Sequence, residues 1–65
     1  MDNEEIEEVY RNEINRIIRT TGSKRKRALQ VAFKTTLEIV KKSDYHWMEA
    51  ALRTHEVKQK LLNEK

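Results

Sequence analysis

The residues best suited to chemistry are two histidines, two serines, a block of carboxylates and a run of four cations, and their spacing separates them. His46 and His55 are nine positions apart, about two and a half helical turns, which points the rings to opposite sides of one helix. A metal pair on a single helix needs a spacing of three or four. With no cysteine in the chain, neither a metal site nor a cofactor is expected. Ser23 and Ser43 lack a histidine and a carboxylate in their local sequence to activate a hydroxyl, and both suit helix caps instead. Glu4, Glu5, Glu7 and Glu8 crowd one short stretch, so they form no separated acid–base pair. No glycine-rich phosphate loop occurs. These readings predict a protein that is not an enzyme.

The run Lys24-Arg25-Lys26-Arg27 remains. It falls where a helix should begin, and there the free backbone N–H groups already present positive potential. Each cation opposes the helix dipole by about 0.3–1 kcal/mol at low salt, an unfavourable choice unless an anion arrives. Helix starts bind phosphate through those N–H groups, Ser23 adds a hydroxyl, and arginine and lysine add charge and forked hydrogen bonds. The DNA or RNA phosphate backbone is therefore the expected partner. The plainer readings of a charge run are a solvated face or ion pairing with the acidic first helix of another chain. A helix-turn-helix is a poor match around Gly22, because Ile17 and Ile18 are bulky and Ser23 stands where an apolar residue is wanted. Contacts should be dominated by phosphate, with little base preference in a monomer, whereas a symmetric dimer with two basic poles could select for spacing or bend DNA.

These residues need elements to position them. The 65 residues, 38% charged and 37% hydrophobic with one glycine and no proline, read as one all-α domain. A chain this short buries only about 60% of its unfolded surface, so reinforcement by self-association or by ordering on a partner is expected. The apolar residues Ile6, Val9, Tyr10, Ile14, Ile17 and Ile18 predict a helix from Asp2 to Arg19, capped by Asp2 or Asn3. A joint at Thr20–Ser23 turns on Gly22, with Ser23 capping a second helix, Lys24–Lys42. That helix is apolar over about two-thirds of its circumference. A weaker joint near Ser43-Asp44 leads to a third helix from Tyr45 to about Asn63, whose polar stripe is Glu49, Arg53, Glu56 and Lys60.

Short joints predict an antiparallel three-helix bundle, homodimeric through surplus apolar surface at Val31, Phe33, Leu37, Trp47, Met48 and Leu52. The alternative is a helical hairpin that dimerises into a four-helix bundle. Tyr10, Phe33 and Trp47 suit packing, and His55 suits a partly buried interface position. Tyr45, His46 and Trp47 could also stack on bases, although they fall at the acidic pole.

In such a bundle one pole gathers Arg16, Arg19, Lys24, Arg25, Lys26, Arg27, Lys58, Lys60 and Lys65 against Glu56 and Glu64. The other gathers Asp2, Glu4, Glu5, Glu7, Glu8, Glu38, Asp44 and Glu49 against Arg11, Lys41 and Lys42. The predicted phosphate-binding set is Ser23 with Arg16, Arg19, Lys24–Arg27, Lys58 and Lys60. The competing expectation is an adaptor or inhibitor that docks on another protein through the acidic first helix and the apolar surplus. The acidic, amphipathic opening MDNEEIEE is the reverse of an export signal, and no apolar run could span a membrane. The cytoplasm is the expected location, or that of a host cell if the chain is virus- or plasmid-encoded.

Overall fold

The computed structural model describes residues 1–43 and 46–64. They form three helices, α1 (Asn3–Thr21), α2 (Arg25–Lys42) and α3 (Trp47–Leu62), with no strand among the described residues. Each helix packs on both others.

Helix α1 starts as its sequence requires. The Asp2 carboxylate accepts from the Glu5 backbone N–H at 2.9 Å, and the Glu5 carboxylate accepts from the Asp2 N–H at 3.3 Å, so two otherwise unpaired donors are satisfied reciprocally. Ile6, Tyr10, Ile14 and Ile17 are buried on one face. The helix ends at Gly22, whose φ of 70° is left-handed and whose N–H donates to the Ile18 carbonyl at 2.9 Å. Nothing lies within 4 Å of where a Cβ would sit. Gly22→Ala should therefore cost only the backbone term, about 1 kcal/mol. In a domain of this size that lowers Tm by about 4–8 °C. Thermal melts followed by circular dichroism would show it, and an unchanged Tm would refute the left-handed cap.

The two joints differ from expectation in detail. Ser23 does not cap α2: the N-cap is Lys24, which makes no side-chain cap hydrogen bond. Ser23 faces back to α1 instead, its hydroxyl 2.6 Å from Thr21 Oγ1. At the second joint Ser43 closes α2, its N–H donating to the Val40 carbonyl at 3.1 Å. The cap of α3 is His46, whose Nδ1 accepts from the Met48 N–H at 3.3 Å. The expected contributions of Asp44 and Tyr45 lie outside the described residues.

The core consists of Ile6, Tyr10, Ile14 and Ile17 from α1, Ala28, Leu29, Ala32 and Val40 from α2, and Ala50, Val57 and Leu61 from α3. Tyr10 is fully buried, and its hydroxyl donates to the Leu29 carbonyl at 2.6 Å. Burial pushes this phenol up to about 12. An unfolded tyrosine ionises near 10, so Tyr10 supports the fold fully below pH 10, and that support is lost as pH rises toward 12. An absorbance titration should show one phenol that ionises only as helicity is lost. Tyr10→Phe should abolish that late component, and an early, helix-independent titration of both tyrosines would contradict the burial.

Direction follows from the cross-helix contacts. Arg53 meets Asn3, Lys60 meets Glu7 and Glu64 meets Arg11, so α3 runs alongside α1 in the same sense. Lys58 meets Phe33, while Leu61 and Leu62 line a hollow with Arg25, Lys26 and Leu29, so α2 runs against α3. The end of α3 thus reaches only the middle of α1.

Candidate nucleic-acid interface

The first turn of α2 carries Arg25, Lys26 and Arg27, follows Lys24 directly and contains no acidic residue. The first amide of this helix region to find a backbone acceptor is that of Ala28, which donates to the Lys24 carbonyl at 2.9 Å. The N–H groups of Arg25, Lys26 and Arg27 lie before that point and have no cap. Both other helices differ: α1 has the reciprocal Asp2–Glu5 cap, and α3 has the His46 cap with Glu49 in its first turn. Lys24, Lys26 and Arg27 are exposed and enter no ion pair among the described residues. Four consecutive cations therefore surround unsatisfied donors at the positive end of a helix dipole.

Other members of the predicted set are dispersed. Arg19 is exposed in the last turn of α1, close in sequence to the cluster. Arg16 is held by Glu13 at 3.0 Å, which raises its pKa and lowers that of Glu13. Ser23 is occupied by Thr21.

Lys58 and Lys60 do not join the cluster. Lys60 Nζ donates to Glu7 at 2.6 Å. That bond is the main reason the Glu7 carboxyl lies below its ordinary value, with Arg11 second. Lys58 Nζ sits 5.1 Å from the centre of the Phe33 ring, a cation–π contact. The displacement comes from register. With α3 ending beside the middle of α1, Lys60 meets the acidic front half of that helix rather than the cationic end. Lys65 lies outside the described residues.

The sequence pattern missed Arg11, which it placed with the acids. Arg11 and Arg25 line one hollow with Ile14 and Asn15, and both reach Glu64, at 2.6 Å and 3.8 Å. A chain of ion pairs thus runs from Lys60 through Glu7, Arg11 and Glu64 to Arg25. No signal along the chain could have joined residue 11 to residues 25 and 64, because only the offset between α1 and α3 brings it there.

The expected apolar interface is also divided. Trp47, Met48 and Leu52 are each about 60% exposed, so Trp47 is not a core residue in this chain. Phe33 and Leu37 are half-buried against the core. Val31 is 44% exposed but stands about 160° around α2 from Phe33, so these two cannot share one flat face. His55 is exposed in the single chain. The cause is the rotation of α3. Its inward side carries Ala50, Thr54, Val57 and Leu61, and that rotation turns Arg53 and Lys60 onto Asn3 and Glu7. Among the described residues no group of acids and histidines could hold a metal ion, and no helix is long and apolar enough to cross a membrane. No family model, curated protein or solved structure matches this chain.

Proposed function

We propose that this is a small, non-enzymatic, nucleic-acid-binding regulator that works in the cytoplasm as a homodimer. It contacts phosphates through Lys24, Arg25, Lys26 and Arg27, with Arg19 and Arg11 at the margins. One observation carries the reading. The start of α2 alone combines four cations, an absent side-chain cap and no compensating carboxylate in its first turn, an arrangement that costs stability until an anion binds. Arg16, Lys58 and Lys60 are engaged by Glu13, Phe33 and Glu7 and play a lesser part.

A gel shift on arbitrary duplex and single-stranded DNA and RNA tests the reading. Complexes should form at low salt and dissolve steeply as salt rises. No shift on any probe at low salt would overturn it in favour of a second reading, an adaptor or inhibitor. That reading draws on the exposed apolar side chains of α3 and on Glu4, Glu5 and Glu8, which are exposed on α1 and make no ion pair among the described residues.

A further inference from the structure

Helix α3 has two apolar sides, and the bundle uses one. Opposite the buried Ala50, Thr54, Val57 and Leu61 stand Met48, Leu52, His55, Gln59 and Leu62, all exposed. Their spacing is four, three, four, three, the interval at which paired helices interlock. At about 100° per residue the five fall within an arc of roughly 80°, and Trp47, 61% exposed, stands about 60° outside it. A solvated helix face does not require this spacing; a seam between two helices does.

We propose that this seam is a self-association surface on which α3 of a second copy packs antiparallel, with the two-fold axis at His55. The proposal rests on the homodimer put forward above and adds its surface and its direction. Symmetry favours a second copy. Met48 and Leu62 are equidistant from His55 along the chain, so a reversed α3 sets each Met48 against the partner's Leu62 and closes both ends of the seam with apolar contact.

Area is sufficient. A standard interface takes about 800 Å² from each partner, roughly a sixth of this chain's 4727 Å². The outward side of α3 is one of only three sides of the bundle.

Charge selects the direction. Leu62 lines a hollow with Arg25 and Lys26. A parallel pair would set Leu62 against the partner's Leu62 and crowd the two cation clusters. The antiparallel pair holds the two Leu62 positions roughly 20 Å apart. It thereby presents one phosphate-binding terminus at each end, a bivalent contact with nucleic acid. His55 and Gln59 at the middle weaken the seam and fix its register, as polar residues in helix seams do.

The test uses the full chain, in sedimentation or light scattering across a concentration series. The native protein should dimerise. Leu52→Glu should be monomeric with unchanged helicity, since Leu52 is 60% exposed, and His55→Leu should tighten the dimer at least about tenfold. The chain has no cysteine, so Met48→Cys and Leu62→Cys proteins can be mixed and oxidised. The mixed 48–62 disulfide should form ahead of either symmetric one. A dimer that survives Leu52→Glu would sink the seam while leaving the dimer standing. Symmetric disulfides in preference would overturn the antiparallel direction. A native chain monomeric throughout would remove both seam and dimer without touching the gel-shift result. Quenching of Trp47 in that monomer by single-stranded nucleic acid would assign the face to bases instead.

Discussion

Replacing Lys24, Arg25, Lys26 and Arg27 together with alanine should reduce affinity for duplex DNA on the order of 10³-fold at about 0.1 M salt while making the protein more stable. Each phosphate contact changes the logarithmic salt slope by about 0.9, so removing four should flatten it by roughly 3.6 and lose about eightfold per contact at that salt. Stability should move the other way for two reasons. Alanine is the better helix former, and each removed cation relieves about 0.3–1 kcal/mol of opposition to the α2 dipole. Loss of binding with a higher Tm cannot be ascribed to unfolding, which makes the pairing of the two outcomes diagnostic. Lys60→Ala is the contrast: its ammonium is committed to Glu7, so the salt slope should stay near that of the native protein. Filter binding at several salt concentrations, alongside thermal melts, reads both quantities. A quadruple variant that binds with the native slope would place the phosphate contacts elsewhere.

The contrast between Lys26 and Lys60 also shows which features were legible in the sequence. Helix α1 could be read nearly to the residue, because Asp2, Glu5, the Ile6–Tyr10–Ile14–Ile17 face and Gly22 are all local signals. The cluster at the start of α2 was equally plain, since its four cations are consecutive. The cap was less so. Ser23 is a better intrinsic cap than Lys24, yet its hydroxyl is taken by Thr21, one residue before the left-handed glycine. Rotation and register of α3 were not legible at all. A helix with Met48, Leu52 and Leu62 on one side and Ala50, Val57 and Leu61 on another offers two apolar stripes, and periodicity cannot rank them. Pairing of Arg53 and Lys60 with α1, together with the small volume of Ala50 and Thr54, favours the second. Once α3 is turned and offset, Lys60 and Lys58 leave the cationic cluster, Glu64 stays beside Arg25, and Arg11 joins it.

The core also holds two hydroxyls, and removing them should stabilise the protein. Thr36 on α2 and Thr54 on α3 are fully buried, and neither Oγ1 has a hydrogen-bond partner among the described residues. A buried helical threonine ordinarily returns its hydroxyl to the carbonyl one turn back. For Thr36 that is the carbonyl of Ala32, which already accepts from the Thr35 hydroxyl at 3.1 Å. An unmade hydrogen bond in an apolar surrounding costs about 1–3 kcal/mol. Valine keeps the branched shape and replaces the hydroxyl with a methyl group, so Thr36→Val and Thr54→Val should each add about 1 kcal/mol. The double variant should raise Tm by roughly 8–16 °C in a domain this small. The substitutions lie away from the start of α2, so the salt slope of nucleic-acid binding should not change. Urea titration of both single variants and the double variant checks the expectation, and destabilisation by either single change would mean that its hydroxyl makes a bond in solution.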